Sequence, residues 1–283
     1  MKKQNIFLFL LILALFLGGT VEISEGSTVL GILLLFLALL TTSKINFGNP
    51  DEEDKSNYTM IMLLGLGIVL SDILFNTASH SRLGTLDIMT FLFGLSLITF
   101  GINNNELRRM GTFTAFMSAT FLILFLVFFS LFNRLNIDFT HFFDHYFVLL
   151  PVVSILNTMQ VPIEIIGTET VRMTGVEEMS VIIGGPCSGL YSMFMLIGII
   201  VGYTRLEKFD NKQVYAMLLI TAAVAYTSNI FRIISLYLVG YSYGSQTMMF
   251  VHTHLGWIIF TVVAGILLYI LNKIPRHKVI QNP

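Results

Sequence analysis

The sequence predicts an all-α polytopic membrane protein of about eight transmembrane helices, with an outer-face insert ahead of the last three. Three observations lead there. Of the 283 residues, 55% are hydrophobic and only 12% charged, and the mean hydropathy is +0.80, far too apolar for a soluble chain of this length. The apolar residues gather in runs of roughly the 20 residues needed to cross a hydrocarbon core of about 30 Å. Counted as crossings, these runs put the Lys and Arg of their connecting loops on one side, which is then the cytoplasm. A net charge of -1 excludes nucleic acid as a partner, because phosphate binding needs a concentrated basic surface. The single cysteine, Cys187, excludes an intramolecular disulfide and any multi-cysteine metal site. No metal and no cofactor is expected.

The spans are expected near 5–24, 27–45, 58–79, 83–102, 112–133, 186–204, 213–239 and 251–271. Met1, Lys2, Lys3 and the apolar run from Ile6 begin like a signal peptide, but no small-x-small cleavage site follows, so the run reads as a retained first span. Lys2 and Lys3, Arg108 and Arg109, Arg205, Lys208 and Lys212, and Lys273, Arg276 and Lys278 fall on one side with eight spans. Both termini are then cytoplasmic, in a multi-pass protein of the plasma membrane. The acidic loop 46–57 says little about orientation. Three parts follow: an N-terminal bundle of about five helices over 1–133, an insert over 134–185, and a three-helix core with a cytoplasmic tail over 186–283.

The insert starts with a run, 139–160, that is apolar enough to cross but carries Asp138, His141, Asp144, His145, Pro151 and Asn157. A ninth crossing there would put Cys187 and the basic loop Arg205 to Lys212 on the wrong sides. The run is therefore assigned to the outer surface, as an interfacial or re-entrant element. His141 and His145, spaced i, i+4 beside Asp138 and Asp144, read as its wet face, with a metal site as the alternative. Val161 to Gly185, with Gly167, Gly175 and alternating Val171 and Met173, reads as short extended structure.

Polar residues inside or beside apolar runs carry the candidate chemistry. Cys187 lies in Gly184-Gly185-Pro186-Cys187-Ser188-Gly189, at the outer start of a span. A helix N-terminus there would favour thiolate over thiol, and its free N–H groups could hold an oxyanion. The alternative is a small apolar filler. Arg232 lies within Val214 to Leu238, where an unpaired guanidinium costs at least about 2.5 kcal/mol, unless it snorkels to lipid phosphate. Asn229, one turn earlier, could hydrogen-bond that guanidinium or a substrate carbonyl. His252 and His254 open the last span, again at the outer end, and helix geometry lets only one of them face a common site. Trp257 fits the interfacial aromatic belt. Thiol, guanidinium and imidazole at one membrane face make a nucleophile, an electrostatic stabiliser and a proton donor. A reading from another class is a transporter or channel with a polar path through Asp72, Asp87 and Arg232.

Three segments resemble the exosortase/archaeosortase family of membrane cysteine transpeptidases. They are Pro186-Cys187-Ser188-Gly189-Leu190, Asn229-Ile230-Phe231-Arg232-Ile233, and His252 four residues before Gly256-Trp257. The match covers roughly the last 100 residues, on three consecutive spans. The resemblance implies a protease/transpeptidase with Cys187, Arg232 and His252 as catalytic residues, and with Ser188, Gly189, Asn229 and His254 in binding or supporting roles. It also implies substrates that end in a short motif, a transmembrane helix and a basic tail. These would be cleaved near the motif and passed to an envelope acceptor, a lipid or glycan. Some archaeal members have a second Arg in place of the histidine, so His252 points to the His-type arrangement.

Overall fold

The computed structural model describes residues 56–79, 84–102, 104–207 and 209–273, with isolated positions 11, 15, 30, 33, 34, 36, 37 and 41. The expected spans 5–24 and 27–45, most of the loop 46–57, and Lys2, Lys3, Lys208, Arg276 and Lys278 lie outside the described residues. The helices are α1 (Ser56–Ser79), α2 (Thr85–Ile98, extended by a 3-10 turn at Thr99–Gly101), α3 (Asn105–Arg134), α4 (Phe139–Thr158), α5 (Leu190–Glu207), α6 (Asn211–Tyr243) and α7 (Ser245–Lys273). All but α2 are long and apolar enough to cross a membrane, six among the described residues. The count of eight is not reached in that part of the chain. The run 83–102 yields 14 α-helical residues and a three-residue turn.

Helix α4, assigned from sequence to the outer surface, meets the same length and apolarity criterion with 20 residues. Pro151 does not break it, because the turn just before, Asp144–Leu149, is π-helical. Its wider spacing absorbs the bond that proline's missing N–H would have made. A second π-helical turn, Leu126–Leu131, lies within α3.

The chain divides into two compact units. The first gathers the chain up to Leu122 with Gly198–Tyr215 and Ile274–Pro283. There α1 packs on α2, and Asn104 caps α3 by accepting the backbone N–H groups of Glu106 and Leu107 at 3.0 and 3.2 Å. Gly198 and Gly202, one turn apart on α5, take the α3 backbone so closely that a Cβ would sit 2.5 Å from the Met117 carbonyl and 2.7 Å from that of Phe113.

The second unit, Ile123–Ile197 with Ala216–Lys273, holds every residue singled out for chemistry except Asp72 and Asp87. Val161 to Gly185, read as extended, contains three strands: β1 (Ile163–Ile165), β2 (Thr170–Thr174) and β3 (Glu178–Ile182). They form an antiparallel sheet in chain order, with Val171 opposite Val181 and Met173 opposite Met179. Alternation of side chains between faces buries Val171, Met173 and Met179 and exposes Arg172, Thr174, Ser180 and Ile182. The buried face joins Val148, Val152 and Leu156 of α4, Ile230, Ile233, Leu236 and Tyr237 of α6, and Met248 of α7. On α6 those core residues recur every three or four positions, while Phe231 stays 65% exposed, as a lipid-facing residue should. His141 contacts the Glu169 carboxylate, and the His145 ring N–H donates to the Thr168 carbonyl at 2.6 Å. The two histidines thereby tie α4 to the β1–β2 loop.

One residue, Gly244, links α6 to α7 in the left-handed conformation, φ +85°, which only glycine adopts without strain. The Ser245 N–H that opens α7 donates to the Glu177 carboxylate in the β2–β3 turn, a bond that holds this exposed carboxyl below the usual carboxylate range.

Candidate active site

Cys187 sits in a short turn and not on the first turn of a helix. The chain leaves β3 extended at Gly184, makes a 3-10 turn over Gly185–Ser188, and passes Gly189 at φ +84° before α5 begins at Leu190. The break at Gly189 corrects the expectation that Cys187 opens the span. Within the turn, the Cys187 N–H donates to the Gly184 carbonyl at 3.2 Å.

Asn229 fixes this turn to α6. Its buried amide donates to the Ser188 carbonyl at 2.8 Å, with a longer approach to that of Cys187 at 3.4 Å. The guanidinium and substrate partners expected for Asn229 give way to the backbone next to the thiol. Gly189 makes room for it, since a Cβ there would fall 2.4 Å from Asn229 Cγ. Ser188, 3% exposed, contributes its carbonyl to this contact.

Cys187, Arg232 and His252 line one cavity of about 470 Å³, with Tyr237, Met248, Met179 to Ile182 of β3 and the following Ile183 in its wall. The Cys187 Sγ lies 3.6 Å from His252 Nε2, within hydrogen-bond range for sulfur. Arg232 is close enough to Cys187 for their charges to interact. Its guanidinium passes beside Gly256, where a Cβ would meet Nη2 at 3.2 Å, and its Nε has no hydrogen-bond partner among the described residues. His252 lies one turn before Gly256, so the imidazole and the glycine that the Arg232 guanidinium of α6 passes beside follow one another along one face of α7.

His254 faces elsewhere. Its Nδ1 is bonded to the Phe250 carbonyl at 2.8 Å, and its ring leans over that of Phe250 with centroids 4.6 Å apart. The sequence placed both histidines at the start of a span. In the structure α7 begins at Ser245, so His252 is two turns inside the helix. Likewise α6 continues to Tyr243, which puts Arg232 about 16 Å from its helix end at 1.5 Å per residue, farther than the roughly 9 Å that an end at Leu238, the limit of the apolar run, would give.

Tyr237 was not singled out from sequence. It is 2% exposed, lines the cavity, and its hydroxyl has no hydrogen-bond partner among the described residues. A tyrosine near the end of an apolar run reads as part of an interfacial belt, and only its position five residues after Arg232 hinted at more. Of the polar path in the transporter reading, Asp87 accepts the Gly84 N–H at 2.8 Å and so caps its own helix. Asp72 and Asp87 belong to the first unit and Arg232 to the second.

A polytopic membrane fold with a thiol, an imidazole and a guanidinium around one cavity defines the class of protein. The family model described as transmembrane exosortase matches residues 20–269, and the chain belongs to that family. Membership implies a membrane-embedded cysteine transpeptidase, a multi-pass protein whose family acts on C-terminal sorting-signal substrates. No curated protein and no solved structure matches the chain.

Proposed function

We propose that this protein cleaves C-terminal sorting signals of membrane-anchored surface proteins at the outer face of the plasma membrane and transfers them to an envelope acceptor. The 3.6 Å approach of Cys187 Sγ to His252 Nε2, in a cavity that also takes in Arg232, carries the proposal. His252 accepts the thiol proton and the thiolate attacks the scissile carbonyl. Arg232, positive and fork-shaped, stabilises the charge that develops on the carbonyl oxygen, and the Tyr237 hydroxyl is a second donor in the same wall. The C–N bond then breaks, the leaving amine takes the proton from His252, and the acyl group stays on sulfur as a thioester. An amine or hydroxyl of a lipid or glycan acceptor, or water, attacks that thioester and returns the proton to His252 as the C–S bond opens. Neither step calls for a metal or cofactor.

Two results test the roles and the side. Co-expressed with a protein ending in a motif, a transmembrane helix and a basic tail, His252→Ala should slow tail removal by about 10²-fold or more, while His254→Ala should leave it within a few-fold. Equal, small effects of both would remove histidine from the mechanism. In intact cells Cys187 should react with a membrane-impermeant thiol reagent added outside. Labelling only from the cytoplasmic side in inverted vesicles would overturn the outer-face placement.

A further inference from the structure

We propose that the free edge of β3 is the substrate-binding track, receiving the four or five residues before the scissile bond as an extended strand. The inference rests on the cysteine-peptidase reading above and adds how that site reads a peptide.

Backbone bonding gives the strand its polarity. The Thr174 N–H donates to Pro162 and the Ile166 N–H to Thr170, so the even residues of β2 face β1. The Ile183 N–H donates to the Glu169 carbonyl at 2.7 Å, in register with Val171–Val181 and Met173–Met179. Residues 179, 181 and 183 therefore bond to β2, and the N–H and C=O groups of Glu178, Ser180 and Ile182 point the other way. β3 is the last strand of the sheet, so on that side these groups have no backbone partner among the described residues.

Met179 through Ile183 all line the cavity that contains Cys187. Alternate side chains leave a strand on opposite faces, so a cavity walled by five consecutive residues runs along the strand's edge. Apart from Cys187, Arg232, Tyr237, Ser245 and His252, the remaining wall is apolar: Ile233, Leu236, Met248 and Met249. Three outward residues at two-residue spacing cover about 13 Å, the length of four or five extended residues. A peptide paired there in parallel, its main chain bonded to Ser180 and Ile182, runs in the direction in which β3 itself leads to Cys187 and brings its next carbonyl to the thiol. Strand addition of this kind draws affinity from the main chain and selectivity from alternate side chains, and the apolar wall selects apolar ones.

The test uses the full-length chain in detergent and two alkylating probes that share one electrophile, acetyl-tetra-alanine chloromethyl ketone and chloroacetone. In both reactions the Cys187 sulfur bonds to the methylene carbon and chloride leaves. The peptide probe should react at least about tenfold faster than chloroacetone, the scale of one or two added hydrogen bonds. N-methylation of alternate amides in the probe should remove that advantage, and methylation of the amides between should not. Ser180→Pro deletes an outward N–H while leaving the β2 ladder intact, a substitution that edge strands tolerate. It should abolish the peptide's advantage over chloroacetone, whereas Ser180→Ala, which keeps the N–H, should retain that advantage. No advantage over chloroacetone, or an advantage indifferent to N-methylation, overturns the track. If Ser180→Pro also changes the chloroacetone rate, the N-methyl series on the unaltered chain decides. Failure of the underlying peptidase reading has a different signature, a Cys187 no more reactive toward chloroacetone than free cysteine.

Discussion

Cys187→Ala should stop substrate processing altogether, a loss on the order of 10⁴-fold or more, as when the nucleophile of a coupled catalytic set is removed. The variant should still insert and accumulate. Alanine is smaller than the half-buried cysteine, and the turn is held by the Cys187 and Asn229 backbone contacts, which the substitution leaves in place. Cys187→Ser should be nearly as inactive, since a hydroxyl near one imidazole is a far weaker acid than a thiol. The measurement is the size shift of a co-expressed substrate on gels, normalised to the amount of membrane-inserted enzyme. Retained processing by the alanine variant would remove the thiol from the reaction.

Arg232→Lys should reduce processing by about 10²- to 10³-fold, the scale for losing a donor aimed at a developing oxyanion. The charge survives this change and the geometry does not. A planar fork wedged beside Gly256, where an added Cβ would meet Nη2 at 3.2 Å, is replaced by a point charge on a flexible stem without the fixed two-donor geometry. Unchanged protein level with lost processing is the expected pairing. Near-normal processing by the lysine variant would reduce Arg232 to a generic positive charge.

The parts of the site that stand out against an apolar background were legible in the sequence. Arg232 is expensive within its run, Asn229 lies one turn away, and Cys187 follows glycines at the edge of a span. All three meet around the turn before α5. What the sequence did not disclose depends on partners far along the chain. That Asn229 holds the Ser188 carbonyl and that α7 starts at Ser245 under a Glu177 cap follow from packing between segments tens of residues apart, and helix geometry alone left His252 and His254 open, the family resemblance being what pointed to His252. The strands were legible as extended from the alternation of Val171 and Met173. Which edge of β3 is open follows only from the pairing register. The left-handed Gly189 had a local signal, glycine two residues past the cysteine, but a helix start tolerates glycine as well. For α4, Pro151 and the polar residues argued against a long helix, and a π-helical turn of one extra residue reconciles them with one.

The 65 residues that separate Cys187 from His252 along the chain set a schedule for biosynthesis. At about 5–20 residues per second, the ribosome needs roughly 3–13 s to go from the nucleophile to its imidazole. During that interval the turn and α6 can be in place while the base is still in the translation machinery. A nascent chain thus carries a thiol without its proton acceptor. It stays chemically quiet toward neighbouring membrane proteins, and its own unfolded segments, until the last helix has entered the bilayer.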